Sequence, residues 1–189
     1  MSEERKIALR HQFVLTPVML CAALLSLAGT VTRAQDATGA PGCGPDPEHF
    51  DVKTTKNQHP EMKNEADKAV IYFLQDDLEF ESIPRPVVRL GIDSKWVGAT
   101  HGTSYLATTV EPGEHHLCAS WQTNVTIGQP KQGAALHFTA EAGKSYFFSA
   151  RDRWFRDHGS FPMKFDTLDT DEGRLLISQF AVATSKPKK

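Results

Sequence analysis

Between Val88 and Trp121 the chain reads VRLGIDSKWVGATHGTSYLATTVEPGEHHLCASW. Short apolar runs alternate with turn signals at Ile92-Asp93-Ser94-Lys95, His101-Gly102 and Glu111-Pro112-Gly113-Glu114. This is the spacing of a β-meander, each run a strand and each turn returning the chain beside itself. In the last run His116, Cys118 and Ser120 fall on one face, and His115, Leu117, Ala119 and Trp121 on the other, because successive side chains of a strand point to opposite sides. The pattern is clear about fold and nearly silent about chemistry.

The flanking sequence extends the pattern. Ala69 to Gln75 (AVIYFLQ) is a nearly continuous apolar run, rich in β-branched and aromatic residues, and predicts a central, buried strand. Asp76 to Pro84 is acidic, and Pro84 and Pro86 exclude a central strand there. Further strands are expected at Val87–Ile92, Trp96–Ala99, Ser104–Val110, His115–Trp121, Ala135–Ala140, Ser145–Arg151 and Met163–Leu168, with a short edge strand at His49–Val52. Arg153 to Ser160, mixed aromatic and charged, reads as a loop. A helix is expected from Thr170-Asp171-Glu172-Gly173, with Thr170 or Asp171 as its cap. The predicted fold is all-β: an antiparallel β-sandwich of seven or eight strands, Ig-like or prealbumin-like, with a short C-terminal helix packed at one end.

Four regions are expected: a signal peptide at 1–34, a flexible N-terminal segment at 35–67, the β-sandwich domain at 68–184 and a basic tail at 185–189. Arg5, Lys6 and Arg10 precede an apolar run from Phe13 to Val31, and Thr32-Arg33-Ala34 supplies small residues for cleavage after Ala34. The apolar run is ~19 residues, enough to span a bilayer, so an uncleaved anchor is the competing reading. Cys21 is not a lipid-attachment site, because Leu20 stands where a small residue is needed. Removal of the leader leaves Cys43 and Cys118 of the three cysteines. An even pair in an oxidising compartment predicts a disulfide tethering the N-terminal segment to the sheet; the alternative is two free thiols, Cys118 buried and Cys43 exposed. The protein is therefore expected to be exported, periplasmic or extracellular and associated with the envelope. The net charge of −2 offers no basic field for nucleic acid, and membrane contact is expected only through an uncleaved leader.

Ile92-Asp93, Trp96-Val97-Gly98, Tyr105 and Pro112-Gly113-Glu114-His115 resemble the pattern of small bacterial β-sandwich modules: strand, D-G-x-x-V-G, strand, x-P-G-x-H-x-L, strand. The hairpin resembles the PEGA family. With Ala142 to Phe147 (AGKSYF) and the acidic-glycine helix after Leu168, the longer pattern resembles the family called domain of unknown function 2846. The likeness covers roughly Lys68 to Phe180 and departs at Ser94, where the pattern commonly has glycine. It implies an exported, envelope-associated sandwich of unknown activity and carries no catalytic signature.

The residues themselves point the same way. No G-x-S-x-G elbow and no phosphate-cradling glycine loop is present. Asp76, Asp77, Glu79 and Glu81 crowd one loop but lack the spacing of a known calcium loop. His115 and His116 are adjacent on a strand and point apart, whereas His116 and His137 would meet if their strands pair. The expectation is a non-enzymatic exported module, without a cofactor, that binds a protein or glycan of the envelope or serves a structural role. Its candidate surface is Arg151, Arg153, Trp154, Phe155, Arg156 and His158. The alternative is a small metal-dependent enzyme or metal-binding protein using His116 and His137.

Overall fold

The computed structural model describes residues 42–46, 48–60, 62, 65–81, 84–122 and 131–189. The expected leader and its cleavage point lie outside them. The elements run β1 (Phe50–Thr55), β2 (Ala69–Asp76), β3 (Val87–Ile92), β4 (Lys95–His101), β5 (Ser104–Val110), β6 (Gly113–Trp121), β7 (Gly133–Ala140), β8 (Ser145–Phe155), β9 (Gly159–Leu168), α1 (Thr170–Gln179) and β10 (Ala181–Pro187). Six strands form one sheet in the order β1-β10-β5-β2-β8-β9, and four form a second in the order β4-β3-β6-β7.

The apolar run at β2 explains its place. Ala69, Ile71 and Phe73 enter a core shared with Val88, Leu90, Leu117, Ala119 and Trp121 of the second sheet. Leu74 faces the other way, into a cluster with Tyr105, Phe147 and Phe180 against which Leu176 and Ile177 of α1 pack. A strand apolar on both faces needs cover on both. The second sheet supplies one cover and α1 the other.

Several features differ from the sequence expectation. Ten strands form among the described residues, not seven or eight, and two pairings are parallel, β2 with β8 and β10 with β5. Residues 185–187 of the expected tail belong to β10, whose polar residues pair with β1 from Phe50↔Pro187 to Thr55↔Val182. The helix lies over the outer face of the six-stranded sheet, and its cap is Asp169, which accepts from the amides of Asp171 and Glu172 at 2.8 and 2.9 Å. Gly173 is buried against Phe147, and a Cβ there would overlap the ring. Residues 153–160 are not a loop; β8 and β9 continue through them as a hairpin. No helix among the described residues is long and apolar enough to cross a membrane.

Residues 42–46 and Glu48 form a strap across β3, β4 and β6. A disulfide joins Cys43 to Cys118 with their Cα atoms 5.0 Å apart, inside the range such a bond requires. The Trp96 indole donates to the Pro45 carbonyl at 2.9 Å, and Arg89 donates to Asp46 and to the Glu48 carbonyl. Gly42 and Gly91 permit the close approach. A Cβ on Gly42 would meet the backbone of His116 and Leu117, and one on Gly91 would meet the Gly42 carbonyl.

Candidate binding surface and the buried acids beneath it

The β8–β9 hairpin is held by the segment that follows β2. Trp154 donates its amide to the Glu79 carbonyl at 3.1 Å, and the Glu81 amide donates to the Trp154 carbonyl at 3.0 Å. Arg151 pairs with Asp76 at 3.1 Å, and the Arg156 amide donates to the Glu81 carboxylate at 2.9 Å. Arg153 pairs with Glu79 and lies over two rings, 5.7 Å from Phe155 and 5.4 Å from Phe161. Those rings meet edge to face at 5.8 Å.

The six candidate residues therefore separate into four groups. Arg153 and Phe155 join Phe161, which is 39% exposed, in a half-exposed aromatic and cationic stack. Arg156 and His158 stand exposed at the tip, while Arg151 is half-buried on its ion pair with Asp76. Trp154 turns inward against Phe80 and is not part of the outer face. Phe161 escaped the sequence reading because it fell between the presumed loop at 153–160 and the strand expected from Met163, although its strand partner is Arg153.

Beneath the hairpin lie two acids: Asp77, read from the sequence only as one of four crowding a loop, and Asp152, which sequence reasoning missed. The β2–β8 ladder runs from Val70↔Ser145 to Asp76↔Arg151, then resumes at Phe80↔Trp154. The ladder between β8 and β9 shifts register at the same place, between Arg151 and Arg153. Asp77 and Asp152 sit in this double break, buried at 0% and 1% exposure. Asp77 accepts from Gln75 Nε2 at 2.8 Å through Oδ2, but its Oδ1 has no partner, and neither oxygen of Asp152 closes a hydrogen bond. Burial pushes Asp77 up to about 6 against the Gln75 hydrogen bond, the charge of Arg85 opposing it too and that of Asp76 adding to it. Asp152 is raised to about 7, first by burial and then by the charge of Asp77; the neighbouring Trp121 indole favours the anion, but too poorly aligned to close a bond. The pair can hold a proton near neutrality, but at this depth it does not meet a ligand. The signal for Asp152 was present: Phe148, Ala150, Asp152 and Trp154 alternate inward once the strand is continued past Arg151.

The histidines divide by face. His115 bonds Asp93 at 2.7 Å through Nδ1 and the Glu111 carbonyl at 2.8 Å through Nε2. Burial alone would lower its pKa, but these two acceptors outweigh burial and raise it. His116 and His137 are exposed direct partners across β6 and β7, with ring centroids 6.3 Å apart. No group of three His, Cys, Asp or Glu side chains converges as a metal cage among the described residues. A cleft lined by Lys56, Asn57, His59, Thr103, Ser178 and Gln179 shares no residue with any of these groups.

No protein-family model, no curated protein and no solved structure matches the chain.

Proposed function

We propose that the chain is an exported module that binds another component of the cell envelope, a protein or a glycan, without catalysing a reaction. The observation that carries this reading is Arg153, fixed between Phe155 and Phe161 and tied to Glu79. A guanidinium already held in place loses little freedom on binding, and half-exposed rings beside it supply the apolar contact. Aromatic and arginine side chains of this kind dominate binding energy at recognition surfaces. Export is supported by the Cys43–Cys118 bond, which persists in oxidising compartments, together with the basic and apolar character of residues 1–34. The likeness to the PEGA and domain of unknown function 2846 families agrees, and on it we take the two sheets as an Ig-like or prealbumin-like sandwich.

The test is retention of solubilised envelope protein and of arrayed glycans on the immobilised chain, comparing wild type with Phe161→Ala and Arg153→Ala. A component kept by wild type and lost by both variants is expected. Identical retention by all three overturns the surface. Mass measurement of the chain recovered from the envelope fraction should place its first residue at Gln35.

A further inference from the structure

We propose that His116 and His137 form a two-imidazole site for a divalent transition-metal ion on the outer face of the four-stranded sheet. Both residues stand exposed on one face, as direct partners in a ladder of eight residue pairs between β6 and β7. The site is independent of the hairpin reading and shares no residue with it.

Three features make this pair more than two surface histidines. Neither ring is hydrogen-bonded to protein among the described residues, whereas His115 beside them has both ring nitrogens engaged. The backbone beneath is fixed on both sides: Asp93 accepts the His116 amide at 2.9 Å, and the next residue on the same face, Cys118, carries the disulfide. The neighbouring pair on that face is Cys118↔Ala135, where the disulfide to Cys43 covers Cys118 and Ala135 stays exposed and small, while Glu114↔Thr139 on the other side contributes a carboxylate and no cation.

The geometry is close to that needed. With metal–nitrogen bonds of ~2.1 Å and an angle near the tetrahedral or square value, two ring centroids about one ion lie about 4.5–5.2 Å apart. The rings stand at 6.3 Å, so they must close by roughly 1–2 Å, which side-chain rotation at an exposed site supplies. Imidazole nitrogen selects zinc, nickel and copper over calcium or magnesium. Two protein ligands leave the remaining positions to water, so the site is an open one.

Zinc chloride is the probe, titrated into the full chain in competition with a chromophoric chelator. One equivalent is expected to bind at least tenfold more tightly to wild type than to His116→Gln or to His137→Gln. The double variant should be no weaker than either single one, since both remove the same chelate. His101→Gln, an exposed histidine on β4, should leave binding unchanged. Ring proton resonances of His116 and His137 should move on zinc addition while those of His115 stay, a readout that does not depend on any variant. Affinity equal in wild type and the double variant, or ring resonances that do not respond, overturns the site.

Discussion

Arg89 and Asp152 are buried to the same depth, at 2% and 1% exposure, yet they meet the problem of buried charge in opposite ways. Arg89 is surrounded. Its guanidinium donates to Asp46 and the Glu48 carbonyl and stacks 4.3 Å from the Trp96 ring. Asp152 has no partner of good geometry on either oxygen. The difference follows from titration. A guanidinium cannot lose its proton in a protein, so it must be given a counter-charge. A carboxyl group can take up a proton and become neutral, so a poor site is tolerable below its raised pKa. The strap exists on one side of the molecule because the charge there is permanent. Among the described residues no counter-charge pairs with Asp152, whose charge is conditional.

The sharpest way to break this comparison is to release the strap. Cys43→Ser and Cys118→Ser should each destabilise the protein by about 4 kcal/mol, as expected for a closed loop of this size. The double variant should lose no more, because both changes break one bond. Thermal unfolding with and without a dithiol reductant measures this. A double variant clearly worse than either single would mean that each sulfur has a separate role. Survival of the Asp46–Arg89 contact in the singles, seen as an unchanged Trp96 fluorescence, would mean that the strap holds without the bond.

Next in size is the pH dependence of the acid pair. The folded values of about 6 for Asp77 and about 7 for Asp152 lie above the unfolded value near 4. Their contribution is therefore intact below pH ~4, is lost as pH rises towards 7, and is constant above. At ~1.4 kcal/mol per pKa unit, Asp152 alone removes about 4 kcal/mol across that window. Asp152→Asn should flatten the curve and make the protein more stable than wild type at pH 8, measured by urea unfolding at fixed pH values. An Asn variant equally pH-dependent would place the titration elsewhere.

What the sequence allowed to be read follows the same divide. β2, the meander and the two-faced alternation of β6 were legible because burial on a defined face imposes a period of two. The disulfide was legible because the expected removal of residues 1–34 would leave only two of the three cysteines. β10 was not: Thr184, Ser185 and Lys186 carry no apolar period, and their strand is set by pairing with β1. Nor was the hairpin at 153–160, where alternating charge and aromatic residues read as loop until Phe161 is seen opposite Arg153. Asp152 was hidden for a different reason. An aspartate at an inward position contradicts the rule used to find inward positions, so the rule ended the strand at Arg151.

The smallest effect sharpens the comparison most cleanly. Asp46 is 60% exposed and pairs with Arg89 and, at 3.5 Å, with Lys131. An exposed pair is worth ~0–1 kcal/mol and a fully buried one several times more, so Asp46→Ala should cost about 1–2 kcal/mol. Its carboxyl is held below the usual range, chiefly by the Arg89 hydrogen bond against a burial effect that raises it. This contribution is therefore present above the unfolded value near 4 and is lost as pH falls below it, the reverse of Asp152. Wild-type stability should accordingly decline on both sides of a maximum near pH 4–5. Asp46→Ala should shrink the acid limb, leaving the share of Asp93, and Asp152→Asn should shrink the other limb, leaving the share of Asp77. If Asp46→Ala instead changed the slope between pH 5 and 7, the two buried charges would be coupled through the core, and the strap would be serving the acids as well as the arginine.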